Sequence, residues 1–248
     1  MTALKVSHIN QTLNGNHILE DVSLKVDANE IVAILGVSGI GKTTLFNIIA
    51  GLNAPTSGQV KLNNKNITNQ TGQLGYMLQK DLLLPYRTII NNVILPDLIQ
   101  NVDKKSAIKR AKPLFKTFGL TGYEDKYPSE LSGGMRQRAA LLRTFLSTKN
   151  FTLLDEPFSA LDELTKHDIY RWYTNISKKL NYSTLLITHS VDEALTLSDR
   201  IYILNHHPAR ITHEIIINDT DKQQKDFELT PAFLAYKKEI LGYLQNNK

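Results

Sequence analysis

The most constraining feature of this chain is an apolar run that ends in a glycine-rich loop. Ile31-Val32-Ala33-Ile34-Leu35 has no polar break, the pattern of a strand buried on both faces of a parallel sheet. Gly36-Val37-Ser38-Gly39-Ile40-Gly41-Lys42-Thr43 follows at once, and a helical stretch runs from Thr43 to Ala50. Glycines let the backbone turn tightly and approach an anion without a Cβ in the way. Successive N–H groups then point at that anion from the start of a helix. The loop matches G-x-x-x-x-G-K-[ST], in which the lysine reaches the terminal phosphates and the hydroxyl that follows reaches Mg²⁺. Lys42 and Thr43 take those places, with Thr44 beside them in the helix start. The plain alternative is a glycine turn that merely precedes Lys-Thr; the strand before it and the helix after it argue against that.

The 248 residues allow one large domain or two small ones. At 42% hydrophobic and 21% charged residues, the chain can bury a sizeable core. Cysteine is absent, which excludes disulfides, Cys-ligated zinc, iron–sulfur clusters and a thiol nucleophile. The start, MTALKVSHINQ, lacks the basic residues and apolar run of a signal peptide. No apolar run approaches the length of a membrane span, so the chain is not expected to cross one. The net charge of +5 is modest and its lysines and arginines are scattered. The denser groups, Lys104-Lys105 to Lys112 and Lys178-Lys179, read as solvated helix faces, and no nucleic-acid partner is expected.

Elsewhere, the alternating segments Leu4–Ile9 and Val22–Val26 are split by Asn14-Gly15-Asn16, which predicts an antiparallel β region with a turn there. Three more apolar runs, Phe151–Leu154, Thr184–Ile187 and Ile201–Leu204, predict further buried strands. Ile169, Trp172, Tyr173, Ile176 and Leu180 recur at helical spacing and read as a core stripe, with Asp162 as N-cap. Ile108, Ala111, Phe115 and Phe118 do the same after Asp103, although Pro113 should start, kink or break a helix. A helix-rich insertion over about 80–150 is thus predicted inside an α/β core. Thr230 and Pro231 read as N-cap and first residue of a C-terminal helix to about Gln245, in a tail of about 228–248.

Phe151-Thr152-Leu153-Leu154-Asp155-Glu156 places two acids at the C-terminal end of a buried strand, where open α/β sheets bind ligands. Asp155 is placed to hold Mg²⁺, and Glu156 to polarise an attacking water. Standing alone before Pro157, the pair would read as an ordinary strand-to-turn acid pair. Leu131-Ser132-Gly133-Gly134-Met135-Arg136-Gln137-Arg138 leads into a helix, Met135–Ser147, and is a second anion-binding helix start. One triphosphate in one small domain does not need both, which suggests that the second serves a nucleotide held by another copy. His206-His207 tempts a metal reading, but neighbours on a strand face opposite ways, so the two read as surface.

In these motifs and in their order, nearly the whole chain resembles the nucleotide-binding subunits of ATP-binding cassette (ABC) transporters. The resemblance implies a P-loop NTPase (RecA-like) α/β fold over 1–248: a parallel-sheet core, an N-terminal antiparallel β subdomain and an inserted α-helical subdomain. It also implies ATP and Mg²⁺ as cofactors. Leu131–Met135 is similar to the family's signature loop, so Ser132, Gly133 and Gly134 are expected on nucleotide. Gln79, in Tyr76-Met77-Leu78-Gln79, is similar to the Q-loop glutamine that contacts Mg²⁺ and the attacking water. Ser159-Ala160-Leu161-Asp162 resembles the D-loop. His189, in Leu186-Ile187-Thr188-His189, resembles the switch histidine on the γ-phosphate, and Glu156 matches the catalytic base. The family's stacking aromatic upstream of the P-loop is missing: its place falls near Leu13, and either Leu13 or His17 is left to meet the base.

The resemblance further implies a head-to-tail dimer, with each ATP between the P-loop of one chain and the signature loop of the other. It implies separate transmembrane permease subunits at the cytoplasmic face of the cell membrane, and indirectly a solute-binding protein. Leu82–Leu84, Pro85 and Tyr86 lie where the family receives a coupling helix, and are expected to be part docking patch and part core. The segment Asn205–Ile211 and the tail Thr230–Leu241 resemble the nitrate/sulfonate/taurine importer branch. The rival readings are an exporter cassette, a non-transport ABC ATPase and a P-loop kinase. The spacing of Lys42 and Asp155 leaves no room for the long coiled coil of DNA-repair forms, and a kinase has no need of Ser132-Gly133-Gly134 or His189.

Overall fold

The computed structural model describes residues 2–147, 150–159, 161, 163–222 and 226–245. Its strands are β1 (Thr2–Leu13), β2 (Asn16–Asp27), β3 (Ile31–Leu35), β4 (Ser57–Leu62), β5 (Lys65–Asn66), β6 (Gly75–Met77), β7 (Phe151–Asp155), β8 (Ser183–Thr188), β9 (Arg200–Asn205) and β10 (Arg210–Ile216). Its helices are α1 (Lys42–Ile49), α2 (Ile89–Val93), α3 (Leu95–Ile99), α4 (Lys104–Thr117), α5 (Gly133–Leu146), α6 (Glu163–Leu180), α7 (Val191–Leu197), α8 (Asp219–Lys222) and α9 (Pro231–Gln245).

Two sheets organise the chain. A six-stranded sheet runs β10-β9-β3-β8-β7-β6, parallel throughout except for the antiparallel edge strand β10. A four-stranded antiparallel sheet runs β2-β1-β4-β5. Its first hairpin turns at Asn14 (φ 49°) and Gly15 (φ 80°), the two positive dihedrals that an Asn-Gly turn supplies and that match the twist of paired strands.

The apolar runs are strands covered on both faces, as the sequence predicts. Along β3, Ile31, Ala33 and Leu35 enter one core, while Val32 and Ile34 enter the other, the two-residue period of a strand. The first core also holds α2, α4, α5, α6, α7 and α9. The second holds α1 and the antiparallel sheet. Leu45, Phe46, Ile48 and Ile49 of α1 are fully buried there, at about 1.5–3 kcal/mol of transfer free energy each. The glycine-rich loop is thus anchored on both sides, by β3 in the sheet and by α1 beneath the antiparallel layer.

Of the three outcomes expected at Pro113, two are not seen. Pro113 neither starts nor ends a helix, because α4 runs through it from Lys104 to Thr117. Asp103 caps that helix by accepting the Ser106 N–H at 3.0 Å. Pro113 is exposed, while Ala107, Ala111 and Phe115 on the opposite face are buried. That packing carries the helix past the hydrogen bond proline cannot make. Trp172 is half-buried: its ring meets Phe118 edge-on at 5.3 Å, its Nε1–H donates to the Thr117 carbonyl, and the Arg138 guanidinium lies over it. It joins α6 to the helices that precede β7. At the C-terminus Thr230 caps α9, accepting the Phe233 N–H at 3.2 Å. Asp162, the expected cap of α6, lies outside the described residues.

Candidate functional site

The loop Gly36–Gly41 leaves the C-terminal end of β3 and enters α1. Its glycines are demanded locally. A Cβ on Gly36 would lie 2.7 Å from the Leu204 carbonyl oxygen, and Gly41 holds φ at 113°. Lys42 is buried, with its ammonium folded over the loop and donating to the carbonyls of Gly36 (2.7 Å) and Val37 (2.8 Å). Burial pulls that ammonium below its ordinary pKa, while the carboxylates of Glu156 and Asp155 pull the other way.

The neighbouring strands end on the same edge. Register places Leu35 beside Thr188, Asp155 beside Ile187 and Met77 beside Leu154. Asp155 is buried, and the Thr43 hydroxyl donates to its Oδ2 at 3.2 Å. Burial chiefly raises the Asp155 pKa and Glu156 adds to the rise; the Thr43 hydroxyl and Lys42 oppose it. Glu156, the next residue, sits in the left-handed region at φ 45°, a strain of about 1–3 kcal/mol of the kind that gathers at functional sites. One of its carboxylate oxygens takes the Gln79 amide at 3.1 Å, and the other faces His189 Nδ1 at 3.1 Å. Gln79, Glu156 and His189, far apart in sequence, therefore meet in one group beside the loop, Glu156 in contact with both of the others.

The second anion-binding start stands apart. Ser132 caps α5, accepting the Met135 N–H at 3.3 Å, and Ser132 and Gly133 are exposed. Among the described residues, no hydrogen bond or ion pair joins Ser132, Gly133 or Gly134 to the loop 36–44. A Cβ on Gly133 would meet only the tip of Arg136, at 3.9 Å, so nothing within this chain requires a glycine there. Ala160 and Asp162 of the D-loop segment lie outside the described residues.

Sequence reasoning did not single out the groups that brace the site. Arg136 Nε donates to Asp81 Oδ2 at 3.3 Å. Arg143 donates to the backbone carbonyls of Asp81 and Leu82. Gln137, buried, donates to the Pro157 carbonyl beside Glu156. So α5, which begins at Gly133, grips both the segment after Gln79 and the turn after Glu156. Tyr76 is a further brace: its hydroxyl donates to Asn47, and burial next to Asp155 raises its pKa.

A parallel sheet whose strand ends gather a phosphate loop, a buried carboxylate on the loop's hydroxyl and a Gln–Glu–His group defines a P-loop nucleotide-binding protein. Residues 19–159 match the model of the ABC transporter family. The formylaminopyrimidine import ATP-binding protein ThiZ of Halalkalibacterium halodurans is 48% identical over 79% of this chain and 76% of its own. The taurine import ATP-binding protein TauB of Roseobacter denitrificans is 35% identical over 98% of this chain and 94% of its own. The dimeric structure of MJ0796, a bacterial ABC transporter cassette, superposes with a TM-score of 0.73 at 27% identity, covering 87% of this chain and 99% of that one. The chain belongs to the ABC transporter family, as one of its ATP-binding subunits.

The segment Leu82–Tyr86 is mixed in burial. Leu83 is buried and Leu84 half-buried, whereas Leu82 and Tyr86 are 51% and 73% exposed. His206 is half-buried and His207 exposed, and no group of three or more metal-ligating side chains occurs among the described residues. No helix among them is long and apolar enough to cross a membrane.

Proposed function

We propose that this chain is the ATP-hydrolysing subunit of an importer, working as a pair at the cytoplasmic face of a membrane on separate permease subunits. A solute-binding protein feeds those subunits indirectly. The names of the relatives support import. The exposed Leu82, Pro85 and Tyr86 fit a permease helix.

The single observation that carries the reading is that the chain has two glycine-rich helix starts with no hydrogen bond or ion pair between them among the described residues. The loop 36–44 is backed by Asp155, Glu156, Gln79 and His189. Ser132 and Gly133 are exposed and Gly134 is half-buried, with room for a close neighbour at Gly133. Two chains set head to tail would bring each outward start onto the nucleotide of the other.

Mg²⁺ fits the donors present. Thr43 and Asp155 offer oxygen ligands in contact with each other and Gln79 lies close by; one carboxylate with substrate phosphates is the usual set for this hard cation. Bound there, it would neutralise charge on the phosphates. Lys42 leaves the carbonyls of Gly36 and Val37 and places its charge on the terminal phosphates. Glu156, held by Gln79 and His189, takes the hydrogen bond of the attacking water and orients it in line. The backbone amides of the loop and of Ser132–Gly134 stabilise charge as it spreads over the transferring group. Loss of the γ-phosphate removes what bridges the two chains, so the pair reopens and drives the permease. Leu13 and His17, both exposed at the end of the first hairpin, are left to meet the base.

The experiment is phosphate release by the purified chain, with Glu156→Gln beside it. The variant should bind ATP, stop turning over and elute as a dimer at millimolar ATP. An Glu156→Gln chain that remains monomeric with nucleotide bound would overturn the paired arrangement.

A further inference from the structure

His189 sits on the turn between β8 and α7 with 60% of its side chain exposed, so what fixes its position must lie beneath the turn. Ser190 N–H donates to the Thr188 hydroxyl at 3.0 Å, and Glu193 N–H donates to the Ser190 hydroxyl at 3.2 Å. The Glu193 side chain is buried, 4% exposed. Its Oε2 accepts the Tyr170 hydroxyl of α6 at 3.3 Å, and among the described residues its Oε1 has no hydrogen-bond partner. The Tyr170 ring packs edge-on against Phe158 at 5.4 Å. Phe158 is fully buried two residues past Glu156. The turns that carry His189 and Glu156 are therefore joined twice: on the surface by the His189–Glu156 contact, and underneath by Glu193, Tyr170 and Phe158.

We infer that Glu193 is a positioning residue for hydrolysis, holding the His189 turn at the correct distance from Glu156 through Tyr170 and Phe158. The inference rests on the ATPase reading above. A strained left-handed Glu156 and an exposed His189 do not hold a 3.1 Å contact on their own; a buried bracket under both supplies the constraint. The bracket is also sensitive to charge. Burial raises the Glu193 carboxyl to about 7, opposed by the Tyr170 hydroxyl, the Lys166 charge, the Thr188 hydroxyl and the His189 charge. The other ionisable groups around it are paired: His167 of α6 with Glu228 at 2.9 Å, and Asp192 of its own turn with Lys237 of α9 at 2.7 Å. Ionisation of Glu193 thus places a buried negative charge under the turn that carries His189, with Lys166 the nearby cation that opposes the rise.

The test is steady-state ATP hydrolysis by wild type, Glu193→Gln, Tyr170→Phe and the double variant over pH 6–9. Each single variant should lower kcat by about 5-fold and leave KM for ATP within about 2-fold. The double variant should be no worse than the poorer single one, because both break the same bracket. The ratio of wild-type to Glu193→Gln kcat should change through pH 7, since only the wild type titrates there. A ratio that is flat with pH, or additive losses in the double variant, overturns the inference. So does a rise in KM with kcat unchanged. If Tyr170→Phe does not fold, the kcat-against-KM split for Glu193→Gln decides alone. Absence of hydrolysis by the wild type would instead strike the ATPase reading itself.

Discussion

Replacing the buried carboxyl of Glu193 with an amide should make stability less dependent on pH. The folded chain holds this carboxyl at about 7, against 4.5 for an unperturbed glutamate, chiefly through burial. Between those values the folded chain keeps a proton that the unfolded chain has released. Stability contributed by the group is therefore complete below pH 4.5 and is lost as pH rises through 7. The shift corresponds to about 3 kcal/mol. Glu193→Gln has no such proton. At pH 5 it should cost about 1 kcal/mol, since its N–H replaces a hydroxyl beside Oε1 without gaining a partner. At pH 8.5 it should be more stable than wild type by about 2 kcal/mol, a rise of about 4–8 °C in Tm for a chain of this size. Urea unfolding of both proteins at half-unit steps from pH 5 to 8.5 reads the difference directly, with the other titrating groups common to both. A difference constant over that range would refute the reasoning.

Gly133→Ala should leave stability unchanged or raise it by up to about 1 kcal/mol, because its Cβ enters open space at a helix start; calorimetry checks this, and phosphate release should fall at least 10-fold if a partner's nucleotide approaches there. Gly36→Ala should lower stability by about 1–3 kcal/mol, since its Cβ would sit 2.7 Å from the Leu204 carbonyl, and nucleotide binding, followed by fluorescence, should weaken with it. Asn92 is buried and accepts the Leu84 N–H while donating to the carbonyls of Leu84, Arg87 and Thr88. Asn92→Ala should cost about 2–3 kcal/mol in urea unfolding and speed proteolysis within 82–88.

The phosphate loop was legible because its chemistry is local: glycine spacing, a lysine and a hydroxyl fall within eight consecutive residues after a buried strand. Asp155 and Glu156 were legible for the same reason, at the end of a run with no polar break. Glu193 was not. An acid in the first turn of a helix ordinarily lies on the surface near the helix dipole, and only the packing of α6 over α7 shows that this one is buried. Whether Pro113 would start, kink or break a helix was not legible, because the outcome depends on an apolar face that has somewhere to pack. The leucines at 82–84 could not be sorted by type, since which of them is buried depends on how the segment between β6 and α2 lies against α5, where Arg143 holds the carbonyls of Asp81 and Leu82. The contact of Gln79 with Glu156 likewise needs β6 beside β7, a pairing that no local pattern records.

In the proposed pair, each catalytic site is completed by the second chain. Lys42→Ala removes the phosphate grip and Ser132→Arg blocks the outward helix start, so each variant alone should be inactive. Mixed together, about half the pairs combine one chain of each kind, and each such pair regains one of its two sites. Mixing the two inactive proteins should therefore restore phosphate release, up to about a quarter of the wild-type rate. A mixture no more active than its separate components would contradict the account.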